Sequence, residues 1–158
     1  MRAAPAILVT AGAAIAGAAG ALALPWLRIA AGDFTVTVSL RLITSCAGPR
    51  CVHAPITGTA YALSIVAIAA AVATIVFAFA TVSVANRGRA VPVQLRRALA
   101  AAGALVSATG LAAVYTVPEP AQLGATWGVP AGLVATVAAI AGFVLTGRSP
   151  RAPGAPRA

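Results

Sequence analysis

Lysine does not occur in this chain. All eleven basic residues are arginine, set against two acids, Asp33 and Glu119, and one histidine, His53. So small a stock of ionisable groups excludes paired-carboxylate catalysis unless Asp33 and Glu119 meet across loops. No glycine-rich phosphate cradle stands between a strand and a helix. Nothing here reads as an enzyme or implies a cofactor. Nor does the net charge of +9 read as a nucleic-acid patch, because the arginines are split over short segments without interleaved aromatics. Charge as a whole is the most telling shortage. Charged residues make up 8% and apolar ones 61% of the chain, whereas a soluble domain carries about 25% charged residues. The composition is that of an integral membrane protein, and its wealth of Ala, Gly and Arg fits a GC-rich coding sequence.

What is present is four apolar stretches, at about 5–24, 59–85, 98–117 and 125–146, none with an Asp, Glu, Lys, Arg or His. Each is about 20 residues or longer, enough to cross a ~30 Å hydrocarbon core. The expected fold is a membrane all-α, left-handed four-helix bundle over residues 1–148, with a small antiparallel β-sheet in a first outer loop at 25–58. The Pro, Ala and Arg-rich tail at 149–158 is expected to be disordered. Spans without charge argue against a pump or coupled transporter, which places carboxylates, His or Arg within the membrane. Their polar groups, among them Ser64, Thr74, Thr81, Ser107 and Thr109, are of the kind that bond back to the helix or to a neighbour.

Orientation follows from the arginines, because cytoplasmic loops keep an excess of them. Arg2, Arg87, Arg89, Arg96, Arg97, Arg148, Arg151 and Arg157 fall on one side without an acid. Arg28, Arg41, Arg50, Asp33 and Glu119 share the other. Both termini are therefore expected in the cytoplasm of a cell that carries the chain in its plasma or inner membrane, with 25–58 and 118–124 outside. The basic segments could draw anionic lipid. Span one also reads as a signal peptide, with Met1-Arg2 ahead of an apolar run that ends in Ala21-Leu22-Ala23. Its length and glycine pattern favour a retained helix.

Small residues let helix backbones approach closely in lipid. Span four places Gly124, Gly128, Gly132 and Thr136 at four-residue spacing. Span one repeats this with Gly12, Ala16 and Gly20, and span three with Gly103 and Ser107. These stripes are expected to pack the bundle internally, self-association being the alternative. Pro130 is expected to kink span four.

In the loop, Phe34, Val36, Val38, Leu40 and Leu42 alternate with Thr35, Thr37, Ser39 and Arg41, the period of a half-buried strand. Residues 51–56 or 27–30 would pair with it. Cys46 and Cys51 flank Ala-Gly-Pro-Arg, a good turn sequence, and can close a disulfide-tipped hairpin. A redox pair, or a metal held by Cys46, Cys51 and His53, are the alternatives.

The order Trp26, Leu42, Cys46, Cys51 resembles the claudin and peripheral myelin protein superfamily of four-span proteins. Ala23-Leu24-Pro25-Trp26-Leu27-Arg28-Ile29 leaves span one, the two cysteines follow, and weaker likeness runs through 59–63, 103–111 and Leu123-Gly124. Arg41-Leu42-Ile43 stands where that family has G-L-W, and Tyr61 where claudins usually carry Arg. The short second loop lacks the claudins' adhesive segment, and the C-terminal Ala-Pro-Arg-Ala is not their scaffold-binding end. The resemblance implies a bundle capped by a disulfide-bonded sheet, with Trp26 anchoring that sheet at the membrane interface. The functional expectation is a non-enzymatic protein whose outer loop binds a second copy or another envelope protein. Alternatives are a passive channel, in which Arg28, Arg41 and Arg50 favour anions, and an accessory subunit of a larger membrane complex.

Overall fold

The computed structural model describes residues 5–116, 124–125 and 128–147. In chain order these form α1 (Pro5–Ala23), β1 (Leu27–Ala31), β2 (Phe34–Val38), β3 (Leu42–Ala47), β4 (Arg50–Pro55), α2 (Gly58–Asn86), α3 (Val93–Tyr115), β5 (Gly124–Ala125) and α4 (Gly128–Gly147). Arg2, Glu119, Leu123, Arg148, Arg151, Arg157, most of the 118–124 connection and the tail expected to be disordered lie outside the described residues. Helices α1, α2 and α4 are long and apolar enough to cross a membrane, with mean hydropathies of 2.0, 2.6 and 2.1. Helix α3 begins five residues before the apolar stretch at 98 and so draws Arg96 and Arg97 into its first turns.

The helices form a ring. Each of α1 and α3 packs against both α2 and α4, while the diagonal pairs scarcely meet. The faces turned inward are made of small residues. On α2 they are Ala60, Ser64, Ala67, Ala70, Ala71, Thr74, Ala78, Thr81 and Ala85. All but Ala70 follow at alternating four and three residues, the spacing of a heptad contact face. Bulky apolar side chains point the other way, with Val9, Val72, Val76, Phe79, Leu133, Val134 and Val137 all exposed.

The stripe expected on α1 is displaced. Gly12 and Ala16 are exposed, and a Cβ on Gly12 would meet nothing within 4 Å. The contact face is instead Ala11, Ala14, Gly17, Ala18 and Ala21. Gly17 has no room for a side chain, since its Cβ would stand 2.5 Å from the Ala135 nitrogen and 2.8 Å from the Ala131 carbonyl oxygen. Gly20, half-buried, faces the Ala131 methyl at 3.0 Å from where its own Cβ would be. On α4, Gly128 and Gly132 are buried. Gly124 leaves the stripe because it belongs to β5, where it pairs with Arg28. Below Gly132 the inward face continues through Ala135, Ala138 and Ala139, so the four-residue spacing gives way to the heptad. Pro130 makes no mid-helix kink, since it is the third residue of α4, in the first turn, whose N–H groups have no intrahelical partner to lose.

Two hydroxyls tie α3 to α4. Ser107 and Thr136 share a hydrogen bond of 2.8 Å, and Thr136 also donates to the Gly103 carbonyl at 2.6 Å. Thr74 and Thr81 bond back to the carbonyls of Ala70 and Phe77, each at 2.8 Å. Helix α2 stops on a Schellman motif in which Gly88 N–H donates to Ala85 O and Arg89 N–H to Val84 O. Gly88, at φ +69, supplies the left-handed residue this ending requires.

All strands are antiparallel, in the order β4-β3-β2-β1-β5. The strand expected to run from 34 to 42 ends at Val38. Ser39 then turns the chain, with its N–H and its hydroxyl both donating to the Leu42 carbonyl and its Oγ accepting from the Leu42 N–H at 3.1 Å. The period of two survives the turn at Val36, Val38 and Leu40, all buried, which is why it reads as one strand. Residues 27–31 do pair with β2, whereas β4 pairs with β3. Leu27, Ile29, Val36, Val38, Leu40 and Ile56 share one core with Ala18, Ala21, Ala67, Ala71, Val106 and Ala135, so the sheet is welded to one end of the bundle.

Candidate functional site

Trp26 is the joint between sheet and bundle. It is 1% exposed, its backbone N–H bonds to the Val38 carbonyl, and its indole Nε1–H donates to the Ala21 carbonyl at 2.8 Å. That carbonyl lies in the last turn of α1, where no intrahelical donor reaches it. The ring lies in a slot walled by glycines. A Cβ on Gly110 would collide with the ring edge, and on Gly128 or Gly132 it would come within 2.7 or 2.9 Å of ring carbons. Pro25 O accepts a 2.9 Å bond from Gly128 N–H, closing the slot. Trp26 is thus an interior plug that anchors the sheet to the bundle. Gly110 stands one heptad after Gly103 and so lies off the four-residue spacing that joins Gly103 to Ser107.

Cys46 and Cys51 face each other across β3 and β4 and form a disulfide. The two-residue tip is Gly48-Pro49, with Gly48 at φ +57, the backbone form such hairpin loops need. With the sulfurs bonded to each other, neither is a thiolate able to hold a metal. His53 accompanies Thr44, its Nδ1 lying 3.0 Å from Thr44 Oγ1. Register places Arg28, Thr37, Thr44 and His53 in one row across four strands. Since Leu27, Ile29, Val36 and Val38 occupy the buried face, this row lines the opposite one.

The three arginines of the loop are exposed but not gathered. Arg28 lies in the row just described, Arg41 on the turn between β2 and β3, and Arg50 at the hairpin tip, on the other face of the sheet from Arg28. Leu42 is exposed opposite Pro55. Every residue of β4 is exposed, Val52 at 69%, and its far side pairs with no strand among the described residues. Beneath Arg41, a cavity of about 230 Å³ opens between the turn and α2, lined by Leu40, Arg41, Tyr61, Ser64, Ile65 and Ile68. No sequence signal pointed to Tyr61 or Ser64 as its walls, because the turn that roofs them comes from elsewhere in the chain.

At the opposite end of the bundle Arg87, Arg89 and Arg97 are exposed, and Arg96 sits with its guanidinium carbon 5.6 Å from the Phe143 ring centre. The fold and this cap define a mostly helical protein with three helices able to cross a membrane and a disulfide-linked antiparallel sheet. The chain matches no family model and no curated protein sequence.

Proposed function

We propose that this chain is a four-span, non-enzymatic membrane protein whose sheet stands outside the membrane and binds a second copy of itself or another envelope protein. The membrane part of the reading is supported by the inverted distribution of side chains. Small residues fill the interior and bulky apolar ones cover the outside, an arrangement that water would penalise and lipid accepts. The arginines at the two ends support an orientation with both termini in the cytoplasm. A distant relationship to the claudin and peripheral myelin protein superfamily accords with four helices capped by a disulfide-linked sheet.

The binding role rests on one observation, the open edge of β4. An exposed strand whose outer backbone groups pair with no other strand is a template for another chain, and this one is rigidified by the Cys46–Cys51 bond. Conduction through a single copy is less favoured, because alanines 14, 18, 67, 71, 78, 135 and 139 stand at 0% exposure along the bundle axis. The test is a photo-cross-linking residue at Val52 in native membranes. It is expected to yield a dimer or one discrete heterologous adduct, and His53→Pro in the same chain, which removes an N–H from the open edge, to abolish it; monomer alone would sink the proposal.

A further inference from the structure

The cavity under Arg41 has the parts of a binding site for a different kind of ligand. Ser64 lines its floor, and this residue is 2% exposed with an Oγ that has no hydrogen-bond partner among the described residues. Thr74 and Thr81 on the same helix bond back to the carbonyl four residues earlier, so the helix offers such a bond and Ser64 does not take it. A buried polar group left unpaired costs on the order of 1–3 kcal/mol, which a ligand oxygen at the floor would recover.

The rim is cationic and held in place. Arg41 lies on the turn whose backbone is pinned by Ser39, with Leu40 next to it buried in the core. Asp33, the one acid among the described residues, is at the far end of β2, a five-residue strand of about 17 Å. Among the described residues, no carboxylate therefore stands close enough to pair with the Arg41 guanidinium. The remaining walls are Ile65, Ile68 and the ring of Tyr61.

From the cavity walls Tyr61, Ile65 and Ile68 the series continues through Val72, Val76 and Phe79 at steps of three or four residues, which places all six on one stripe of α2. All are exposed except the half-buried Ile68. At ~30 Å³ per water-sized group, a cavity of about 230 Å³ takes a small head group and a few carbons but not a whole lipid. A longer apolar chain would have to leave along this stripe.

We propose that this cavity binds an anionic amphiphile, its phosphate or carboxylate oxygens on Arg41 and Ser64 and its acyl chain along Ile65, Ile68 and Val72. The site is separate from the β4 edge. It rests on the membrane reading only in that the stripe would face lipid.

The test uses the full chain purified in detergent, checked for monodispersity and an intact disulfide, and titrated with phosphatidylglycerol or phosphatidylcholine under native mass spectrometry. Both lipids carry a phosphate, but the ammonium of phosphatidylcholine cancels its charge, so phosphatidylglycerol, with a net negative charge beside Arg41, is expected to be retained about tenfold more strongly. Arg41→Gln should erase that preference, Ser64→Val should weaken retention by blocking the floor, and Arg89→Gln, an equal loss of charge at the other end, should change neither. Displacement by oleate but not by the same concentration of inorganic phosphate would establish the amphiphile. Displacement by phosphate as effectively as by oleate would replace it with a free-anion site. Equal retention of the two lipids, or equal losses in Arg41→Gln and Arg89→Gln, would overturn the proposal. Resistance of the chain to alkaline extraction from vesicles reports the membrane reading independently of either result.

Discussion

Trp26 shows how one side chain can set the geometry of a cap. Its indole joins α1 through Ala21, α3 through Gly110 and α4 through Gly128 and Gly132, while its backbone holds β2 through Val38. Truncating a buried tryptophan costs about 3–5 kcal/mol. Trp26→Ala is therefore expected to lower the thermal unfolding midpoint in detergent sharply, and Trp26→Phe, which keeps a ring but loses the bond to Ala21, less so. The complementary change tests the slot. Gly110→Ala places a methyl against the ring and should destabilise by about 1–3 kcal/mol through overpacking. Gly12→Ala, on an open face, should leave the midpoint unchanged or raise it slightly, through the better helix propensity of alanine. Equal effects at Gly110 and Gly12 would refute the account of Trp26 as an interior plug.

Among the elements, the β3–β4 hairpin stands apart from the rest of the cap. Strands β1 and β2 share the bundle core through Leu27, Ile29, Val36 and Val38, whereas β4 is exposed at every position. Its order depends on the ladder to β3, the Gly48-Pro49 tip and the disulfide. Closing so short a loop is worth roughly 2–3 kcal/mol by loop-closure entropy. The Cys46→Ser, Cys51→Ser double variant should therefore keep its helical circular dichroism and its bundle unfolding midpoint. Its hairpin should become open to proteolysis after Arg50, read as cleavage rate relative to the native chain. A collapse of the whole fold would mean that the hairpin matters to the bundle more than its burial suggests.

At the scale of the molecule, the two ends differ in charge. Arg87, Arg89, Arg96 and Arg97 lie at the α2–α3 turn, away from the sheet. Replacing these four by Asn removes the strongest short-loop orientation signal. The expected outcome is a mixed population, detected with a reporter enzyme fused after residue 158 that is active on one side of the membrane only. A fusion that reports a single orientation after the change would place the signal elsewhere.

Composition and hydropathy were enough to read the helical class and the three most apolar helices, because burying a backbone in lipid demands long uncharged runs. The alternation from Phe34 to Leu42 disclosed a sheet, and the spacing of Cys46 and Cys51 around Gly-Pro disclosed the hairpin tip, since both are local constraints. Tertiary structure alone decided which face of each helix turns inward. In a chain this rich in Ala and Gly, small residues lie on every side of α1, and only contact with Ala131 and Ala135 distinguishes Gly17 from Gly12. It also decided that the strand breaks at Ser39, because a turn can preserve the period of two. Finally, it brought Arg41 over Ser64 and Trp26 against Gly110. These pairs are distant in sequence, so no local pattern encodes them; they meet only once the helices have closed into a ring and the sheet has been laid across its end.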